Sequence, residues 1–286
     1  MSDNPVDIPF LRLGSDPLRS PLILSVPHAG RDYSDALLGA SRLPREKLES
    51  LEDRLVDRLI WRATANGAAA IVAQRPRAEI DLNRDQREIE PATISPQPLP
   101  QSVVQSHRTR SGLGLIPSRI SGSGAIWERR LDSSELERRI AQIHIPYHEA
   151  IETLLEEALS RFGVAILLDC HSMPPGSGGE AEIVFGDRHR TSCGPEIVEA
   201  AIEATASAGL KVSMIKPYAG GYVTARHGRP ARGIHALQME IDRSLYLASD
   251  LREPGPGFDF IAHLISSVAD AIIRQALGEP RAQAAE

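Results

Sequence analysis

The sequence predicts a single α/β domain, in which helices cover both faces of a largely parallel or mixed sheet. Three observations predict it. Short β-rich runs alternate with longer stretches of helical periodicity along the chain. Runs such as Leu22-Ile-Leu and Val164-Ala-Ile-Leu-Leu168 are apolar at successive positions, as strands covered on both sides are. The 286 residues are 42% apolar, enough for a large core, and with aromatics at 4% that core must be built from Leu, Ile, Val and Ala.

Residues 1–20 read as an N-terminal extension, 21–278 as the folded domain and 279–286 as a flexible tail. The leading MSDNPVDIPFLRLGSD lacks the basic and apolar regions of a signal peptide. Pro21 to Val26 is a compact strand that stops at Pro27, and a polar loop, His28 to Ser34, follows. Leu48, Leu51, Leu55, Leu59 and Ala63 recur at helical spacing and predict a helix over Arg45 to Ala65, ended by Gly67. Ala69 to Ala73 is a second strand. Residues 90–124 hold five prolines and four glycines, which predicts an irregular insertion, either a functional lid or a disordered segment.

A long amphipathic helix is predicted from Glu135 to Phe162, with Ser134 and Glu137 as a capping box and Gly163 as its stop. Pro146 should kink it. Val164 to Leu168, Ala181 to Phe185, Lys211 to Ile215 and Ile234 to Ile241 are strands. Helices run from Cys193-Gly-Pro195 to about Ala208 and from Phe258 to Ala276.

Composition excludes several functions. A net charge of -6 with 32 basic residues argues against a nucleic-acid partner, and few aromatics remain for base stacking. The longest apolar runs fall far short of a membrane span. Two cysteines, Cys170 and Cys193, exclude a disulfide scaffold and a four-cysteine zinc site; they read as free thiols in a reducing compartment, the cytoplasm. Gly176 to Gly179 is followed by no Lys-Ser/Thr pair, so there is no P-loop, and no G-x-S-x-G elbow occurs.

In α/β sheets function collects in loops at the carboxyl ends of strands. His28 and His171 both fall there. Two such imidazoles plus one carboxylate hold zinc and leave a position open for water. Asp53 and Asp57, four apart on the first long helix, are the candidate carboxylates, unless both pair with Arg54, Arg58 or Arg62 on a solvated face. Asn83-Arg84 offers a rigid fork for a carboxylate, or an ordinary turn. Glu240 shares a strand face with Gln238 and is a candidate general base, or a partner of Arg232 or Arg243. His144 and His148 have a zinc-compatible i, i+4 spacing, but no Glu follows His144, which favours a structural role.

Five segments resemble the motifs of the N-formylglutamate amidohydrolase family: Ser25-Val-Pro-His-Ala-Gly30, Ile80-Asp-Leu-Asn-Arg84, Asp169-Cys-His-Ser-Met-Pro174, Gly220-Gly-Tyr-Val-Thr-Ala-Arg-His-Gly228 and His235-Ala-Leu-Gln-Met-Glu-Ile-Asp-Arg-Ser-Leu-Tyr246. They occur in the family order over roughly residues 21 to 247. The resemblance implies a phosphorylase/hydrolase-like fold related to zinc carboxypeptidases and aspartoacylases. It implies one catalytic zinc on His28, His171 and Asp53, a substrate clamp at Asn83-Arg84, and Glu240 as general base. Arg226, His227 and Arg232 fall in a segment similar to the family's substrate loop. Arg54 and Leu55 follow Asp53 where the family typically has Trp and His. The activity so implied is hydrolysis of N-formyl-L-glutamate to formate and glutamate, at the end of a histidine-degradation route. Two other functions fit the same residues: an amidohydrolase for another N-acyl amino acid or small peptide, and a non-catalytic binding protein on the same fold.

Overall fold

A computed structural model describes residues 8–278; the predicted flexible tail, 279–286, lies outside them. Seven strands form one sheet: β1 (Phe10–Leu13), β2 (Leu22–Val26), β3 (Ala69–Ala73), β4 (Ala165–Met173), β5 (Ile183–Gly186), β6 (Val212–Met214) and β7 (Ile234–Asp242), in the order β1-β3-β2-β4-β7-β5-β6. β4 runs parallel to both β2 and β7, and β6 runs parallel to β5. β5 is antiparallel to β7, so the sheet is mixed. Every residue of β2, β3, β4, β5 and β7 is buried, which requires cover on both faces and explains their continuous apolar runs. β1, inside the predicted extension, and β6 are the edges and stay partly exposed.

The chain packs as two compact units interleaved in sequence. Of the described residues, the larger comprises 12–26, 53–71 and 151–278 and carries the body of the sheet. Here α3 (Val56–Leu59), α4 (Trp61–Ala65), α7 (Pro195–Ser207), α8 (Tyr222–His227) and α9 (Phe258–Leu277) flank the strands. α9 is long and apolar enough to cross a membrane by length and composition. It packs instead against α7, α3 and α4. Ile261, Leu264, Ile265, Val268 and Ile272 are buried along it, each such side chain contributing roughly 1.5–3 kcal/mol.

Of the described residues, the smaller unit comprises 8–11, 27–52 and 72–150. It holds α1 (Asp35–Ala40), α2 (Arg45–Leu48), α5 (Ser133–Arg139) and the start of α6 (Ile145–Phe162). Tyr33, Leu37, Leu48, Leu51, Ala78 and Ile126 make a core cluster of its own. The 90–124 segment contains short turns and strand pairs, with Ile94, Leu115 and Ile116 buried. Asp81 N–H donates to Leu115 O at 2.7 Å, and Leu115 N–H donates to Glu88 O at 2.7 Å, so this stretch braces the Asp81–Glu88 backbone.

Three predicted elements differ from the structure. The helix expected over Arg45 to Ala65 is broken: Glu52 is extended and Leu55 is left-handed at φ 63°. Asp53 and Asp57 therefore do not share a helix face. The break is held by tertiary bonds. Arg54 Nε donates to Arg252 O at 2.8 Å, and Tyr246 Oη donates to Arg54 O at 2.8 Å. These bonds offset the roughly 1–2 kcal/mol of a left-handed leucine. The five periodic residues are all buried, so the pattern located the apolar face without fixing a continuous helix.

The helix expected from Glu135 begins at Ser133, and its cap is Asp132, whose Oδ1 accepts from Ser134 N–H at 2.9 Å, rather than Ser134. Pro146 does not simply kink it. Residues Ile140–His144 form one π turn, closed by Ile145 N–H to Ile140 O. The wider turn makes room where the proline ring would strike the carbonyl four residues back. β4, expected to end at Leu168, runs on to Met173, so His171 lies within the strand. Its polar end pairs with β7, Gln238 against Asp169 and Glu240 against His171.

Candidate metal centre and active site

β2, β4 and β7 are parallel neighbours, so their carboxyl ends share one edge of the sheet. Pro27-His28 follows β2 in sequence and belongs to the smaller unit. Gly30 lies against the backbone at Gln74-Arg75, where an added Cβ would meet the Arg75 carbonyl at 2.1 Å; only glycine fits. His28 is buried, and its Nε2–H donates to Asp81 Oδ1 at 2.7 Å. Burial works to raise the Asp81 pKa, but the Arg77, His28 and Arg84 charges hold it well below the usual carboxylate range. Arg77 Nε bonds Asp81 Oδ2 at 2.9 Å. Asp81 is thus an anion that fixes the His28 ring through Nε2 and turns Nδ1 away from itself.

Arg84 is buried in the same unit. Its Nε donates to Leu113 O at 2.9 Å and its Nη1 to Asn83 O at 2.6 Å. Asn83 N–H donates to Asp81 Oδ1 at 2.8 Å. Asn83, Arg84 and the Asp81 anchor of His28 are therefore parts of one hydrogen-bonded turn.

In the larger unit, His171 repeats the His28 arrangement. Its Nε2 donates to Asp169 Oδ2 at 2.8 Å, while Ser25 Oγ donates to Asp169 Oδ1 at 2.8 Å from the neighbouring strand. Its Nδ1 faces Asp53 Oδ2 at 2.9 Å. The other oxygen of Asp53 accepts from Arg243 Nη2 at 3.1 Å, and Arg243 Nε donates to Ser172 Oγ at 3.0 Å. Burial disfavours charge on His171, yet Asp169, Asp53 and Glu240 together carry its pKa well above the usual imidazole value. This pocket is built to hold positive charge.

Glu240 is 7% exposed and stands beside His171 on the adjacent strand, with Gln238 Nε2 donating to its Oε1 at 2.8 Å. Arg232 lies in the turn Pro230–Arg232, before the start of β7 and so at the strand end opposite Glu240. Arg226 reaches Glu152 and the Tyr222 hydroxyl, each at 3.4 Å. His227 is buried on α8, and burial, with help from Arg226 and Arg229, lowers its pKa to about 3. It is a neutral ring at physiological pH. Below about pH 6.5 the unfolded chain takes up a proton there that the folded chain refuses, so stability should fall as pH drops towards 3, at up to roughly 1.4 kcal/mol per pH unit. His227→Gln should flatten that slope in denaturant titrations between pH 6.5 and 4; an unaltered slope contradicts the assignment.

His28 in the smaller unit, and Asp53 and His171 in the larger, are buried donors of the types that hold a metal. Two imidazoles and a carboxylate are a zinc donor set with room for water. The carboxylates behind Nε2 of both rings are the outer partners such ligands have. The residues present therefore fit a zinc ion. Sequence reasoning did not single out Asp81, Asp169 and Arg243 for this work. Asp169 carried a signal: on a strand, residues two apart share a face, which pairs it with His171.

A family model for N-formylglutamate amidohydrolase matches residues 20–247. The chain belongs to the N-formylglutamate amidohydrolase family. Among the family's solved structures, that of N-formylglutamate amidohydrolase from Ralstonia eutropha JMP134 is 32% identical, with a TM-score of 0.85 over 94% of this chain and 97% of that one. N-formylglutamate deformylase from Pseudomonas putida is 29% identical over 80% of this chain and 82% of its own length. The Pseudomonas aeruginosa N-formylglutamate deformylase is 27% identical over 91% and 92%. All the residues of the candidate centre fall inside the family match.

Proposed function

We propose that this family member is a zinc-dependent amide hydrolase that cleaves N-formyl-L-glutamate to formate and L-glutamate. The observation that carries the reading is the buried His28, Asp53 and His171 set, with Glu240 beside His171. The substrate comes from the two deformylase relatives and the Ralstonia amidohydrolase. Zinc, when bound, acidifies water and polarises a carbonyl. Every other task belongs to the chain. Asp81 and Asp169 hold the two imidazoles in register, and Arg243 holds Asp53. Glu240 takes a proton from the attacking water and passes it to the amide nitrogen. The water oxygen bonds the formyl carbon, the C–N bond breaks, and the amine of glutamate leaves neutral. Asn83 and Arg84 grip the amino-acid carboxylate; Arg84 gives Nε and one Nη1 hydrogen to backbone carbonyls, and its other Nη hydrogens supply the fork. The two cysteines are buried free thiols whose pKa burial raises, which suits a reducing cytoplasm.

The test is a panel of N-formyl, N-acetyl and longer N-acyl amino acids, run with zinc-loaded and chelator-treated protein. N-formyl-L-glutamate should be the best substrate, with turnover lost on chelation and restored by zinc. A better N-acetyl or longer substrate overturns the formyl assignment. A protein that binds no metal and turns over nothing overturns the enzyme. For the clamp, Arg84→Lys keeps the charge but loses the fork. We expect kcat/KM for N-formyl-L-glutamate to fall by about 10- to 100-fold, because positioning is lost in the transition state. An unchanged kcat/KM removes Arg84 from that role.

A further inference from the structure

We propose that His144 and His148 are positioning residues, a buried imidazole pair that pins the peptide planes before Asn83 and after Arg84 and so aims the Asn83-Arg84 clamp. The proposal rests on the reading of Arg84 as the carboxylate clamp. His144 Nε2 donates to Arg84 O at 2.9 Å, and His148 Nε2 donates to Leu82 O at 3.0 Å. A carbonyl oxygen only accepts, so each Nε2 carries a hydrogen. In keeping with this, Gln86 Nε2 approaches His144 Nδ1 at 3.4 Å.

The geometry explains why both rings are needed. The Leu82 carbonyl belongs to the peptide plane before Asn83, and the Arg84 carbonyl to the plane after Arg84. Holding both leaves only the Asn83–Arg84 peptide between them, so the backbone dihedrals of the two clamp residues are restrained together. The middle carbonyl, Asn83 O, is the one that accepts from Arg84 Nη1 at 2.6 Å. The direction of the guanidinium is therefore tied to planes that the two histidines fix.

The helix is shaped for the task. The two rings are 0% and 1% exposed, with centroids 4.5 Å apart. Tyr147 packs edge-on against His148. The π turn over Ile140–His144 ends at the first of them, and one turn earlier Arg139 Nη1 donates to Glu79 O at 2.8 Å. One helix face thus holds three carbonyls, at 79, 82 and 84, leading into and through the clamp. Among the described residues, no group of three metal-holding donors includes either ring, so the i, i+4 pair is read as structural.

The test compares His144→Leu and His148→Leu with His144→Gln and His148→Gln, whose amide N–H reaches close to where Nε2–H stood. Zinc content and Tm are measured on each preparation, and kinetics with N-formyl-L-glutamate are run well below every Tm. The Leu variants should lose about 10- to 100-fold in kcat/KM at full zinc content, as expected for a displaced positioning group. The Gln variants should recover most of it. In an Arg84→Lys background the same Leu substitutions should change kcat/KM by less than about twofold, because no fork remains to be aimed. Should the Leu variants not fold, His→Asn, whose amide stops short of the carbonyl, makes the same comparison. An equal loss in both backgrounds, or folded Leu variants with wild-type kcat/KM beside an impaired Arg84→Lys, overturns this proposal alone. An unimpaired Arg84→Lys overturns the clamp and the proposal with it.

Discussion

His171→Ala should strip the protein of zinc and lower turnover of N-formyl-L-glutamate by more than about a thousandfold, since several kcal/mol of transition-state charge stabilisation leave with the metal. The imidazole is one of the three proposed ligands, and it is held among acids: Asp53 on Nδ1, Asp169 on Nε2, and Glu240 on the next strand. His28→Ala should act the same way, because His28 is held by Asp81 in the matching arrangement. A graded variant separates ligation from mere packing. Asp169→Asn keeps its amide oxygen as an acceptor for His171 Nε2, with its amide nitrogen turned to donate to Ser25 Oγ, but removes the charge that makes the ring a better ligand. It should weaken zinc affinity by about 10- to 100-fold without unfolding the chain. Elemental analysis, Tm and a zinc-buffer titration on each variant check these outcomes. Full zinc occupancy in both alanine variants would sink the centre.

The parts of this site that could be read in the sequence are those with a local cause. Strands β2 and β4 declare themselves by apolar runs, and a polar residue just past such a run stands at the functional edge of an α/β sheet, which is how His28 and His171 emerge. Glu240 emerges from alternation along β7. The unreadable parts have distant causes. Nothing near Asp53 announces that the helix stops there, because the break is held by Arg252 and Tyr246, roughly 200 residues away. The end of β4 escapes hydropathy because its polar residues are paid for by Ser25, Asp53 and β7 across the sheet. Arg243 reads as a partner for Glu240 by proximity in sequence, but one of its bonds goes to Asp53 instead. His144 and His148 look alike as metal-spaced or structural residues until the carbonyls opposite them are known.

Glu240→Gln should leave fold and zinc intact and cut kcat by at least about a hundredfold, the lower size of a general-base contribution. The substitution is nearly isosteric, and the bond from Gln238 Nε2 to Glu240 Oε1, at 2.8 Å, can be made equally to an amide oxygen. Zinc should stay because Glu240 is outside the His28, Asp53 and His171 set. Charge is what changes: an amide cannot accept the proton that water must lose, so the defect should fall on kcat rather than on KM. The competing role is structural, with Glu240 as a buried carboxylate that adds to the negative charge around His171. That role makes a different forecast. Removing the charge would shift Tm and zinc affinity and leave turnover of the folded, zinc-loaded protein near wild type. Zinc content, Tm and kcat measured on one preparation separate the two. A folded, zinc-replete Glu240→Gln protein with near wild-type kcat ends the assignment of Glu240 as the base and moves the search to other groups at the carboxyl edge of β4 and β7.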